Sequence, residues 1–196
     1  MGFNSVLRDL QVEDGKEIIS HLNEYTYLGV RITKDGNYEP EISDRISRGR
    51  AAITKLNSIL WDRDVTPETK TYIYHAIVKS TFTYTAETWC LKAKTVSKLN
   101  STEMDFWRGS GRISRKDKIR NNIIKQIMNV TRYILDNIKT RQLQWCGHVQ
   151  RMEERRLPKE VMKWRPPGRR KRGRPKLTWA EGIRGLMGEK RLTEED

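Results

Sequence analysis

The spacing of the apolar residues between Ile42 and Leu60 constrains this chain more than any other feature. Ile42, Ile46, Gly49, Ile53, Leu56 and Leu60 recur at steps of three and four. That period keeps one helical face apolar. Gly49 within the stripe predicts a close crossing by a second helix, and Trp61-Asp62-Arg63-Asp64 closes the element. Thr66-Pro67-Glu68 opens the next with a capping hydroxyl, a proline at the first helical position and an acid in the first turn. Ile73, Ala76, Ile77 and Tyr84 are its expected core face, and its Thr- and Tyr-rich end is a poor helix former. A third helix is predicted around Val96, Leu99, Glu103, Phe106 and Trp107, broken by Gly109 and Gly111. Ile119, Ile123, Ile124, Ile127 and Met128 mark a fourth. Ile134, Ile138, Trp145, Val149 and Met152 mark a fifth, with Thr131 as its cap and Trp145 as a core anchor. The fold class expected is mostly α, a helical bundle.

The two ends differ from this pattern. Tyr25 to Ile32 is aromatic and β-branched and reads as a strand, and Lys34-Asp35-Gly36-Asn37 supplies an Asp-Gly turn, so a short N-terminal β-hairpin or strand-turn is expected. From Pro158 onward the apolar period stops. Arg165 to Lys176 holds seven basic residues in twelve and no acidic one. Such a segment cannot bury a core and is expected to be extended. Leu177 to Lys190, with Trp179, Ile183, Leu186 and Met187, is predicted to form a short amphipathic helix.

Charge follows the same division. The formal net charge is +14 over 196 residues. Residues 1–110 hold 15 Lys+Arg and 15 Asp+Glu, so the whole surplus lies in residues 111–196. A surplus of that size calls for a polyanionic partner, nucleic acid or an anionic membrane face. The apolar runs are too short to span a membrane, and the prolines and glycines of the densest basic stretch disfavour a membrane-surface helix. The partners expected are therefore RNA and/or DNA, with no membrane and no small-molecule substrate.

Within the basic stretch, Lys171-Arg172-Gly173-Arg174-Pro175-Lys176 resembles an AT-hook core. Gly173 has no side chain, which would let the backbone enter a narrow minor groove. Arg172 and Arg174 would reach along the groove floor, where A·T-rich sequence deepens the negative potential. Arg169, Arg170, Lys171 and Lys176 would contact phosphates. The plainer reading of the same residues is a nuclear-import signal or a general polyanion-binding tail. Either makes the nucleus the expected compartment, with the cytoplasm as the other.

Residues suited to metal binding or nucleophilic chemistry are few and scattered. Cys146-Gly147-His148 is one Cys-x-His pair, and His21, His75 and Cys90 lie elsewhere. A structural zinc site needs four ligands in regular pairs, so no metal and no cofactor is expected, with a packed Cys146 and a solvent-edge His148. With two cysteines and no secretory signal, a reducing, intracellular setting is the expectation. No glycine-rich phosphate loop and no G-x-S-x-G elbow is present.

Read in order, several segments resemble the region that follows the polymerase palm in LINE-type (non-LTR) retrotransposon reverse transcriptases. Tyr25-Thr26-Tyr27-Leu28-Gly29-Val30 is similar to the family's primer grip, where a Leu-Gly turn supports the primer end. Glu41 to Ile46, Lys70 to Tyr84, Glu87-Thr88-Trp89, Arg115 to Asn121, Arg141 to Met152, Leu157-Pro158-Lys159 and the Gly168 to Trp179 segment continue the resemblance over about residues 20–180. It implies a palm-end remnant in residues 1–38 with Tyr27, Leu28 and Gly29 as primer-grip-like residues. It further implies a helical thumb-like domain in 39–152, which in the family tracks a template–primer duplex. Residues 153–196 would be a basic C-terminal tail carrying the AT-hook-like core and a short helix.

The family's reaction depends on palm aspartates, including an aromatic-x-Asp-Asp motif upstream of the Leu-Gly turn, that hold two divalent ions. No Asp-Asp pair occurs in this chain. The expectation is therefore a non-catalytic nucleic-acid-binding fragment with no polymerase or nuclease activity. The alternatives are part of an active RNA-directed DNA polymerase whose palm lies upstream, an AT-hook-type DNA-binding protein, and an unselected remnant whose helices expose apolar surface.

Overall fold

The computed structural model describes residues 22–163 and 178–190, together with the backbone of residues 10–11 and 18–19. The protein is mostly helical with a short antiparallel hairpin near its N-terminus. It divides into two compact units, Met1–Asp44 and Arg45–Asp196, with the boundary inside the first helix.

In the first unit β1 (Leu10–Gln11) pairs with β2 (Ile18–Ile19), and β3 (Glu24–Tyr27) pairs with β4 (Val30–Thr33). The single strand expected over Tyr25 to Ile32 is in fact two strands. Leu28 and Gly29 both take positive φ, at 48° and 76°, and make a two-residue hairpin turn. The period-2 pattern runs through the turn without a polar break, so it reads as one strand. The Asp-Gly turn forms where expected: Gly36 has φ 66°, and Thr33 Oγ1 donates to Asp35 Oδ1 at 2.7 Å. Helix α1 (Glu39–Lys55) follows, and the buried Glu41 accepts a hydrogen bond from the Arg31 amide at 2.7 Å.

The second unit is a helical bundle. After α1 come α2 (Asn57–Trp61), α3 (Pro67–Ile73), a π turn over Tyr74–Lys79 that runs into α4 (Ser80–Thr83), and α5 (Ala93–Ser110). Then follow α6 (Asn121–Ile127), α7 (Ile134–Gln150), α8 (Leu157–Lys163) and α9 (Trp179–Lys190). The predicted stripe is buried at Ile46, Gly49, Ile53 and Leu60, but Leu56 is only half-buried and breaks the expected single helix into α1 and α2. Gly49 is the close crossing, since a Cβ there would stand under 3.0 Å from three atoms of the Phe82 ring. Thr66 caps α3 by accepting from the Thr69 amide, as Thr-Pro-Glu foretells.

The core face of the α3–π–α4 rod departs from expectation. Lys70, Tyr74, Val78 and Phe82 are buried at intervals of four, whereas Ala76, Ile77 and Tyr84 are exposed and Ile73 only half-buried. In a regular helix of 3.6 residues per turn a step of four overshoots by about 40° each time, so these positions would wind around the rod. The wider π turn, whose hydrogen bonds span one more residue, absorbs that drift. The hydroxyls of Ser80, Thr81 and Thr83 donate to the carbonyls of Ala76, Ile77 and Lys79 and cover the loosened backbone.

Other helices differ in detail. Gly109 stays within α5, 3.4 Å from Leu60 by its would-be Cβ, and Gly111 alone ends the helix. In α6 only Ile124, with the following Met128, reaches the core; Ile119 precedes the helix, and Ile123 and Ile127 are exposed. The cap of α7 is Tyr133, whose amide donates to Asp136, not Thr131. Trp145 is half-buried and stacks near His148, so Gln142 and Cys146 take the central core positions on α7. Gln142 is held there by Nε2 bonds to the carbonyls of Trp89 at 2.8 Å and Ala86 at 3.3 Å. Tyr74, Phe106 and Trp107 form an aromatic cluster with ring centroids 4.5–5.2 Å apart, each contributing roughly 1.5–3 kcal/mol or more on burial.

Candidate nucleic-acid interface

The AT-hook-like residues Arg169, Arg170, Lys171, Arg172, Gly173, Arg174 and Lys176 lie outside the described residues. Their described flanks are both seated on α7. Before the basic segment, Lys159 Nζ of α8 donates to the carbonyls of Gln150 and Met152, each at 2.8 Å, and pairs with Glu154 at 2.9 Å. Lys163 pairs with the same carboxylate, and these two lysines hold the Glu154 carboxyl down to about 2, Lys163 foremost. Beyond the segment, Thr178 and Glu181 cap α9 reciprocally. Trp179 Nε1 donates to the Glu87 carbonyl at 2.8 Å, Ile183 is buried, and Glu189 pairs with Lys139 of α7 at 2.8 Å. The helix expected after the basic stretch is therefore present, and α8 is an element the sequence reading missed. Its signal was Pro158 in the first turn followed by Glu160.

A second cationic element is the connection between α5 and α6. Residues 112–120 hold five basic residues, Arg112, Arg115, Lys116, Lys118 and Arg120, and one acid. That acid, Asp117, accepts from the Ser114 amide at 2.6 Å and closes a capping box. The loop is built from within by Arg108, which donates to the carbonyl of Ile119 at 2.8 Å and to Asn121 Oδ1 at 2.9 Å. Arg112 and Lys118 both sit at φ 54°, a left-handed conformation uncommon for side-chain-bearing residues, which turns the chain sharply there. Arg115 is tied to Asp105. Arg108 was not foreseen as a scaffold, because a charged residue at a helix end carries no sign in sequence of what it will clamp.

The primer-grip-like residues lie at the tip of the β3–β4 hairpin in the first unit. Tyr27 is 57% exposed and Leu28 73% exposed, and Gly29 completes the turn. The register pairs Tyr25 with Ile32 and Tyr27 with Val30, so all four share one face of the ribbon. Glu24 and Arg31 pair on the other face at 3.7 Å.

Among the described residues no group of three or more His, Cys, Asp and Glu is placed to hold a metal, and no helix is long and apolar enough to cross a membrane. Cys146 is buried and His148 exposed, as expected; Cys90 is half-buried, and burial pushes its thiol pKa up. His21 lies outside the described residues.

No family model matches the chain, and no solved structure matches it. The chain is similar to an uncharacterized transposon-derived protein of Caenorhabditis elegans, with 27% identity over 172 residues that cover 85% of this chain and 61% of that protein. It thus spans about three fifths of the length of that relative.

Proposed function

We propose that this chain is a non-catalytic nucleic-acid-binding piece of a LINE-type reverse transcriptase, comprising its thumb and basic C-terminal region, and that it acts on RNA and/or DNA in the nucleus. The observation that carries the reading is the placement of charge. The whole +14 surplus lies in residues 111–196, and the segment of seven basic residues in twelve connects two helices that are both seated on α7. A cationic segment held at both ends can be presented to a polyanion with less loss of chain freedom than a free tail. The similarity to a transposon-derived protein agrees with a mobile-element origin. Without an Asp-Asp pair to hold two metal ions, the chain by itself supports neither polymerase nor nuclease chemistry. Deoxynucleotide incorporation on a primed template by the purified protein would contradict this.

The test is binding of the full chain to labelled duplex and single-stranded RNA and DNA over a salt series. Its partner is a variant in which Arg169, Arg170, Lys171, Arg172, Arg174 and Lys176 are all replaced by Gln. Neutralisation is preferred to truncation before Arg165, which would also remove α9 and uncover the core. Each phosphate contact contributes about −0.9 to the slope of log affinity against log salt on duplex DNA, so a steep wild-type slope that flattens in the variant supports the reading. Absence of binding at moderate salt defeats it. Minor-groove reading by the Arg-Gly-Arg core adds a preference for A·T over G·C duplex, lost on Arg172→Ala with Arg174→Ala.

A further inference from the structure

Lys79, Arg132 and Arg141 are far apart in sequence, yet folding gathers them around the π turn. Lys79 ends the turn. One turn on, the Thr83 hydroxyl donates back to the Lys79 carbonyl at 2.9 Å, and the Thr83 carbonyl accepts from Arg141 Nη1 of α7 at 3.2 Å. At the other end, Glu103 Oε1 accepts from Tyr74 Oη at 2.6 Å and from the Ile134 amide at 3.1 Å. That shared oxygen pins the start of α7 against the start of the π turn, and Arg132 lies two residues before Ile134.

The charges are close enough to feel one another. Burial first, then Arg141 and Arg132, lower the pKa of Lys79, with the Glu103 carboxyl acting against them; burial and Lys79 lower that of His75. Among the described residues no carboxylate forms an ion pair with Lys79, Arg132 or Arg141. The acids that reach this neighbourhood are otherwise engaged. Glu103 is fully buried, with burial pushing its carboxyl pKa up, and Asp136 accepts from the Tyr133 amide and acts on Lys125, which stacks on the Tyr133 ring. Holding like charges together without a counter-ion is unfavourable, and π turns recur at functional sites.

We infer that Lys79, Arg132 and Arg141 form a phosphate seat beside the π turn, in which each cation meets one of the successive backbone phosphates of a bound nucleic-acid duplex. The inference rests on the nucleic-acid reading above and adds a place on the folded unit where the strand is held, separate from the basic segment. The chemistry suits a phosphodiester: guanidinium groups offer several N–H donors in a fixed fork, and the lysine a compact point charge. Arg141, an exposed residue, spends one donor on the Thr83 carbonyl, which fixes its direction and leaves its other N–H donors for a ligand.

The experiment is fluorescence anisotropy of the full chain with a labelled RNA–DNA hybrid duplex over a salt series. Wild type is compared with a neutralised triple variant, Lys79→Gln with Arg132→Gln and Arg141→Gln. A charge-matched control replaces Lys55, Lys94 and Lys98, exposed on α1 and α5, with Gln. Expected is a loss of about tenfold or more in affinity near 0.1 M salt for the triple variant, with the salt slope flatter by about two to three. The control stays within about twofold of wild type, and Lys79→Arg with Arg141→Lys, which keeps the charge, stays near wild type. If wild type binds and the triple variant matches the control, the seat is overturned while the nucleic-acid reading stands. If wild type does not bind the duplex, the seat is overturned, and the nucleic-acid reading falls with it only if single-stranded RNA and DNA are not bound either. Should the triple variant fail to melt cooperatively, Arg132→Gln alone decides: a slope flatter by about one supports the seat, and an unchanged slope overturns it.

Discussion

At the scale of single residues, two buried positions bear most on stability. Gly49 lets α1 and Phe82 meet at a distance no side chain would allow. Gly49→Ala forces Phe82 off its position, and an overpacked core of this kind typically costs about 1–3 kcal/mol. A chemical denaturation midpoint that drops for Gly49→Ala, and partly recovers when Phe82→Leu is added, is the expected outcome; an unchanged midpoint would show that the crossing can relax. Glu103 is fully buried in the aromatic cluster, and desolvation raises its pKa above the ordinary carboxylate value of 4.5 despite the hydrogen bonds from Tyr74 and Ile134 that favour its charged form. Between 4.5 and that raised value the folded chain keeps a proton that the unfolded chain has lost, so this group's contribution to stability falls as pH rises through the window. Glu103→Gln removes the titration. The melting temperature of Glu103→Gln minus that of wild type should therefore increase from pH 4.5 upward, and a flat difference would mean that the carboxyl titrates normally in the folded protein.

At the scale of elements, the rod from Pro67 to Thr83 is decided by its π turn. Deleting the exposed Ala76 changes the spacing of the buried Lys70, Tyr74, Val78 and Phe82 from steps of four to 4, 3 and 4. That pattern fits a regular α-helix. The deletion should leave a cooperatively folded protein with a melting temperature close to wild type. Deleting the equally exposed Ser101 from α5 instead rotates every later core position by about 100°, taking Phe106 and Trp107 off the core, and should abolish cooperative melting. Equal damage from the two deletions would mean that the π turn is not what keeps the face aligned. The α9 helix is anchored chiefly by Ile183 and the Trp179 indole. Ile183→Asp buries an unpaired charge and should release the helix, seen as loss of amide-exchange protection over Trp179–Lys190 while α5 and α7 stay protected.

At the scale of the molecule, packing and charge occupy different halves of the chain. The neutral residues 1–110 supply the buried aromatics, while residues 111–196 carry the surplus charge and still contribute core through Ile124, Ile134, Ile138, Cys146, Val149 and Ile183. Ending the chain before Arg165 therefore removes structure as well as charge: the walls lined by Trp89, Leu91, Val96 and Leu135 lose the cover of α9. Such a truncated protein should melt several degrees lower than the full chain, because losing about 1.5–3 kcal/mol for one large buried side chain shifts a domain of this size by a few degrees per kcal/mol. A truncation that melts at the wild-type temperature would show that α9 adds nothing to the core.

Local pattern was enough for what depends on neighbours along the chain. The α1 stripe, the Thr66 cap and Pro67 start of α3, the Asp35-Gly36 turn, the helix after Leu177 and the sidedness of the charge all rest on periods, caps and turn chemistry that act within a few residues. Tertiary packing decided what those rules leave open. A helical rod can satisfy two neighbouring faces, and only the partners Phe106 and Trp107 for Tyr74, and Gly49 for Phe82, chose that face over Ala76 and Ile77. Lys79, Arg132 and Arg141 look like scattered surface charges until the shared bonds to Glu103 and Thr83 draw them together. The physical reason is range: hydrogen bonding and steric preference along the backbone act locally, whereas burial and electrostatic proximity depend on which distant segments meet.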